Sequence, residues 1–176
     1  MNKQAFLAAL AGLSLACATT KGGESSSDAV VAKAAPAASE LGTNLALNKP
    51  AVSSSDEKPE LAAKAAVDGS LTTRWSSNFF TDAKPADAWI YVDLGEKTAI
   101  QTVLLNWEAA YGTEFTIMAS DDAKEWKVIA EEKDGHAGKV IVKLKEPVET
   151  RFVKMQGIKR GTPYGYSLWE FEVYGK

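Results

Sequence analysis

A single cysteine, Cys17, among 176 residues excludes a disulfide within the chain, whatever the redox compartment. A single histidine, His136, lies in the turn-like stretch Asp134-Gly135-His136-Ala137-Gly138, so a serine or cysteine nucleophile has no base to activate it. The same scarcity removes a zinc-ligand set. Basic residues are not in excess: 20 Lys and Arg stand against 23 Asp and Glu, for a net charge of −3. The electrostatic footprint of a nucleic-acid binder is therefore missing. No glycine-rich phosphate loop follows an apolar run. The longest apolar run, Ala5–Ala16, falls short of the roughly 20 residues that span a bilayer. These absences exclude nucleophilic triad, zinc and phosphate-loop chemistry.

Met1 to Cys17 has the layout of a signal peptide, with Lys3 as its basic start and Ala5–Ala16 as its apolar run. Leu13-Ser14-Leu15-Ala16-Cys17 resembles a bacterial lipobox, with Ser14 where the favoured residue is aliphatic. That resemblance implies lipidation of Cys17 and membrane contact only through the lipid; plain secretion with cleavage nearby is the alternative. Ala18 after the cysteine is not an aspartate retention signal, so in a Gram-negative cell the expectation is the outer membrane. Residues 18–43 are rich in Ala, Ser, Gly, Lys and Glu, with almost no large apolar side chain. Such a segment cannot bury enough surface to offset its ordering entropy. It reads as a linker with a root-mean-square span of about 25–30 Å.

From Leu45 onward the apolar runs are short and the turn signals frequent. Strands are expected at Trp89–Leu94 (stopping at Gly95), Ile100–Trp107, Phe115–Ala119, Trp126–Ala130, Val140–Leu144, Arg151–Gln156 and Leu168–Tyr174. About eight short strands without amphipathic helices argue for an all-β sandwich or barrel. The one helical candidate, Pro59–Ala66, is expected to make a turn or two under a cap from Ser55 or Asp56.

Four stretches then carry a resemblance. Asn44-Leu45-Ala46-Leu47-Asn48-Lys49-Pro50-Ala51 opens the domain, and Ala66-Val67-Asp68-Gly69-Ser70-Leu71-Thr72-Thr73-Arg74-Trp75-Ser76-Ser77 follows it. Trp89-Ile90-Tyr91-Val92-Asp93-Leu94-Gly95 and the closing Glu170-Phe171-Glu172-Val173-Tyr174-Gly175 complete the set. In order and spacing they resemble the discoidin, or coagulation factor 5/8 type C, family, which overlaps the family 32 carbohydrate-binding modules. The resemblance covers residues 44–176 and implies an eight-stranded jelly-roll β-sandwich of the galactose-binding-domain type, with ligand loops at one end. Asn106-Trp107-Glu108-Ala109-Ala110-Tyr111 and the run from Arg160 to Phe171 resemble the modules appended to bacterial chitosanases and β-1,3-glucanases. Those modules bind oligosaccharides and have no activity of their own. The terminal disulfide of the coagulation-type relatives has no counterpart here, which disfavours phospholipid as ligand.

The same resemblance implies a structural calcium ion. Calcium takes six to eight oxygen ligands, and the matching positions are Ala65 and Ser70 through their carbonyls, Asp68, Thr73 through carbonyl and hydroxyl, and Glu170. The bare alternative at these residues is an Asx turn in which Asp68 caps local amides.

Sugar recognition needs flat apolar faces together with bidentate hydrogen-bonding groups. The loops expected at one end offer Glu57, Arg74, Phe79, Glu108, Tyr111, Arg160, Tyr164 and Tyr166 as carbohydrate-binding residues. Of these, Glu57, Arg74, Glu108 and Tyr164 match sugar-contacting positions of the chitosanase modules. Two neighbouring glutamates suit a cationic amino sugar. Alternatives stay open: Arg74 in an internal salt bridge, Tyr166 packed beneath its loop, and Phe79-Phe80 as a contact for a membrane or protein. The five tryptophans, Trp75, Trp89, Trp107, Trp126 and Trp169, lie in strand patterns and are expected in the core. Glu57 and Glu108 as a glycosidase pair are disfavoured, because a small sandwich offers no cleft deep enough to raise an acid's pKa. The sequence thus points to a monomeric, noncatalytic binder of oligosaccharide (amino sugar or β-glucan), or alternatively to a protein-binding adhesion module using the same loops.

Overall fold

The structure, a computed structural model, describes residues 41–175. The expected signal peptide, Cys17 and all but the last three residues of the linker lie outside the described residues. Among the described residues no helix is long and apolar enough to cross a membrane.

Among the described residues seven antiparallel strands form one continuous hydrogen-bonded system. They are β1 (Ala51–Ser53), β2 (Trp75–Ser76), β3 (Trp89–Trp107), β4 (Gly112–Ser120), β5 (Lys127–Glu132), β6 (Gly138–Arg160) and β7 (Ser167–Gly175). Two of them are unusually long because each serves both layers of the sandwich. The first part of β3 pairs with β1 and with the last part of β6, which continues to β4 and β5. The second part of β3 pairs with the first part of β6 on one side and with β7 on the other, and β7 carries β2. The seven continuous strands thus do the work of the eight short ones expected.

The expected stop at Gly95 is a bend rather than an end. Gly95 adopts φ +91°, a conformation without steric penalty only for glycine, and the β3–β6 register shifts between Asp93 and Thr98. Asp93 fixes this bend. Its Oδ1 accepts from the Gly95 amide at 2.8 Å, and the Arg151 guanidinium of β6 donates to both its oxygens at 2.8 Å. The Arg151 hydrogen bond holds the Asp93 carboxyl below the usual carboxylate range, against a smaller opposing effect of burial.

Period-two alternation sets the core. Ile90, Val92 and Leu94 are buried, while Trp89, Tyr91 and Asp93 between them are half-buried on the outer face. Val103, Leu105, Trp107, Phe115, Ile117, Val142, Val153, Met155, Leu168, Phe171 and Val173 join them in a single cluster between the layers. Trp75 and Trp107 belong to this core, as expected. Trp89, Trp126 and Trp169 do not: they are half-buried on the surface, because their strand positions have the outward parity or, for Trp126, lie before the strand begins.

Pro59–Leu61 and Ala63–Ala66 form two short 3₁₀ turns over the stretch where a helical turn or two is expected. Neither Ser55 nor Asp56 caps them; Lys58 occupies the cap position. Both candidate caps are engaged elsewhere, since Ser53 Oγ donates to Asp56 Oδ1 at 2.6 Å and Ser55 Oγ donates to Asp82 Oδ2 at 2.7 Å.

Candidate functional site

Four loops converge at one end of the sandwich and are stitched by backbone bonds. The Glu57 amide donates to Ser76 O at 2.8 Å, the Ser77 amide to Tyr166 O at 2.9 Å, and the Glu108 amide to Ser167 O at 2.9 Å. The Ser167 amide in turn donates to Ala110 O at 2.8 Å. Between these loops lies an open pocket of about 290 Å³, lined by Glu57, Arg74, Ser76, Phe79, Phe80, Glu108, Ala109, Ala110, Tyr164 and Gly165.

Five of the eight side chains expected to meet sugar therefore share one pocket. Glu57 and Glu108 are each held by one oxygen. Ser76 Oγ donates to Glu57 Oε2 at 2.9 Å, and the Ala110 amide donates to Glu108 Oε2 at 3.1 Å. The Oε1 atom of each has no hydrogen-bond partner among the described residues, so each carboxylate is oriented yet keeps an acceptor for a ligand. Arg74 Nη1 donates to Ser167 Oγ at 2.7 Å, and that hydroxyl donates to Trp75 O at 2.9 Å. Arg74 forms no ion pair among the described residues, which removes the internal salt bridge as its role. The apolar side is aromatic. Phe79 packs on Phe80 with ring centroids 4.0 Å apart and meets Tyr164 edge-on at 5.6 Å.

The other three expected residues stand behind the pocket. Tyr166 is a correction: its side chain is fully buried, and its hydroxyl donates to Ala86 O at 2.8 Å. Burial pushes that phenol well above its usual range. Gly157 makes the room, since a Cβ there would stand 2.2 Å from the Tyr166 ring. Tyr111 leans half-buried on the core and covers Gly161, where a Cβ would come within 2.2 Å of its ring. Arg160 turns inward along its own loop, donating to Pro163 O at 2.7 Å and Tyr164 O at 3.0 Å. It shapes the loop that presents Tyr164 rather than lining the pocket. Phe80, 74% exposed at the rim, joins the expected set. Its only sequence signal is its place next to Phe79.

A second constellation gathers the expected calcium ligands. Asp68 Oδ1 accepts from the Ser70 amide at 2.9 Å, so the Asx turn is present. Thr73 Oγ1 donates to both Asp68 oxygens, at 2.9 and 2.8 Å. Gly69 takes φ +79° to close the turn. Across from it, Glu170 on β7 is 3% exposed, and neither of its carboxylate oxygens has a partner of good geometry. Burial, and then the nearby Asp68 and Glu172 charges, push its pKa up to about 7. An orphaned buried carboxylate facing an aspartate turn is a donor set that a hard cation would complete. Among the described residues no cluster of three or more His, Cys, Asp and Glu is present. Any ion would therefore draw its remaining oxygens from the carbonyls of Ala65, Ser70 and Thr73 and the Thr73 hydroxyl. The residues fit calcium, whose chemistry here would be charge neutralisation between the first loop and the last strand.

Comparison with known proteins agrees with this geometry. The family profile of the F5/8 type C domain matches residues 50–171. Chitosan-binding module 1 of a chitosanase/glucanase from Paenibacillus sp. IK-5 is 44% identical, with a TM-score of 0.69 over 76% of this chain and 99% of that one. Module 2 of the same enzyme, solved with chitotriose, is 38% identical, with a TM-score of 0.69 over 75% of this chain and all of that one (100%). A polysaccharide lyase 8 family protein, HylA, of Enterococcus faecalis is 33% identical in an alignment that covers 67% of this chain and 9% of the lyase's length. The alignment thus spans only a small part of that curated relative. The chain belongs to the F5/8 type C, or discoidin, family and folds as a galactose-binding-like β-sandwich.

Proposed function

We propose that this domain is a noncatalytic carbohydrate-binding module whose loop pocket takes an oligosaccharide carrying amino sugar. The observation that carries the reading is the pairing, in one pocket, of two carboxylates that each keep an unpartnered oxygen with an aromatic wall of Phe79, Phe80 and Tyr164. An ammonium-bearing sugar would place its cation between Glu57 and Glu108 and an apolar ring face on the aromatics. Arg74 would donate to a ring or hydroxyl oxygen. Each charge-assisted hydrogen bond contributes about 1.5–3 kcal/mol, and an open site with two or three of them gives micromolar to millimolar affinity. The relatives that bind chitosan and chitotriose support the ligand class. A structural calcium at Asp68 and Glu170, lipidation of Cys17, a monomeric state and display on the cell envelope belong to the same proposal.

Calorimetry with chitotriose, and with a neutral β-1,3-glucan trisaccharide as control, tests it. Heat with chitotriose that disappears in Glu108→Ala is the expected result. Heat with the neutral glucan alone would leave a carbohydrate-binding role and overturn the amino-sugar one. Silence with both would favour the protein-binding reading, which draws on the exposure of Phe80.

A further inference from the structure

The outer face of the layer formed by the first part of β3 and the last part of β6 carries an aromatic cluster that plays no part in the loop pocket. Trp89 and Tyr91, two apart on β3, hold their rings nearly parallel, 14° between planes and 5.6 Å between centroids. Trp126, from the segment before β5, reaches over to Tyr91 at 5.4 Å, and Phe152 of β6 meets Tyr91 edge-on at 6.0 Å. Lys154, which pairs with Tyr91 across β3 and β6, lies among these rings. Its Nζ stands 4.3 Å from the centroid of Trp126 and 5.9 Å from that of Trp89.

Lys154 is 9% exposed, the one lysine or arginine among the described residues to be buried. It forms no ion pair and no hydrogen bond among those residues, so its three N–H donors find no protein acceptor. Two indole faces attract an ammonium through their negative π faces, but they accept no directional hydrogen bond comparable to that of an oxygen. The neighbouring charges do not compensate it either. Arg151, which packs over Phe152 at 4.9 Å, is matched by Asp93, leaving Lys154 as the surplus charge of the patch. Desolvation holds the Lys154 pKa below its usual value, the penalty that an approaching anion would relieve.

An unpaired ammonium at the end of a buried stem, flanked by aromatic faces, suits a ligand that is apolar on one side and anionic at one edge. A pyranose ring with a carboxylate at C5 is both: its C–H face packs on an aromatic ring while its carboxylate takes the lysine donors. We propose that the outer sheet face bearing Trp89, Tyr91, Trp126 and Lys154 is a second glycan site, specific for uronate-containing saccharides. It shares no residue with the loop pocket and has the opposite charge preference. The two sites would let one domain contact a cationic and an anionic polysaccharide at once.

The test is an NMR titration of the full chain with trigalacturonate. The expected result is that the indole Nε1–H signals of Trp89 and Trp126 move, those of the core Trp75 and Trp107 stay, and Lys154→Met weakens binding at least tenfold. Lys154→Arg should retain it, and Glu108→Ala should leave it unchanged. Absence of any shift in the wild-type protein would overturn the proposal, with no variant needed. Shifts confined to Glu108 and its pocket neighbours would overturn it too. Because chitotriose binding is read at Glu108 and uronate binding at Trp89 and Trp126, either reading can fail while the other stands.

Discussion

Glu170→Gln separates a cation site from a merely buried acid. In the ion-free protein the Glu170 carboxyl is buried, without a well-formed hydrogen bond, and its pKa rises from 4.5 to about 7. A carboxyl whose folded pKa exceeds its unfolded value holds its proton longer in the folded state. The Glu170 contribution to stability is therefore greatest below about pH 4.5 and falls as pH rises through the window to about 7. At about 1.4 kcal/mol per pH unit, the penalty reaches about 3 kcal/mol above pH 8. For a domain of this size that corresponds to roughly 10 °C in Tm. Thermal unfolding in EDTA from pH 4 to 8.5 should show wild type and Glu170→Gln converging at the acid end and separating by that amount at the alkaline end, with the variant the more stable. Calcium at one hundred times its dissociation constant contributes about 2.7 kcal/mol. It should therefore return most of the loss to the wild type and do little for the variant. Parallel curves in EDTA would refute the reasoning about Glu170 burial. A Tm unmoved by calcium at pH 8 would refute the ion site.

Two further substitutions test packing. Gly157→Ala puts a methyl within 2.2 Å of the Tyr166 ring and forces that buried side chain to move; urea unfolding should show a loss of about 1–3 kcal/mol, with weaker chitotriose binding because Tyr166 underlies the last loop. Ala123 sits at φ +59°, where a side chain costs about 1–2 kcal/mol. Ala123→Asn should raise stability by about 0.5–1 kcal/mol in the same assay; an unchanged midpoint would show that the turn, in which Asp122 Oδ1 accepts from the Lys124 and Glu125 amides at 2.8 and 3.0 Å, tolerates alanine.

The alternation from Trp89 to Leu94 makes the inner face legible in the sequence, because Ile90, Val92 and Leu94 can share a face only with one another. What alternation cannot show is that Gly95 bends a strand instead of ending it. That depends on β6 continuing to pair beyond the bend and on Arg151 reaching Asp93 across it. Among the candidate site residues, Glu57, Arg74, Glu108 and Tyr164 are legible through the resemblance to the chitosanase modules, and the structure brings all four to one pocket. The facing of a loop side chain is decided by space behind it. Gly157 and Gly161 open that space for Tyr166 and Tyr111, and the glycines lie several residues from the tyrosines they admit. Lys154 leaves no mark in the sequence at all, since its surroundings come from Trp89 on another strand and Trp126 on a loop.

Asn44 forms an antiparallel bridge with Tyr174, and the Leu45 amide donates to Val173 O at 2.7 Å. Bridge partners of this kind have Cα atoms about 5 Å apart, so the backbone enters and leaves the sandwich at nearly one point. A domain with adjoining ends can be spliced into a surface loop of a host protein with little closure entropy. It can equally hang from either terminus without rearrangement. The geometry is that of a cassette: its position in a longer polypeptide is set by the host, while the end that carries the loop pocket stays free to face outward.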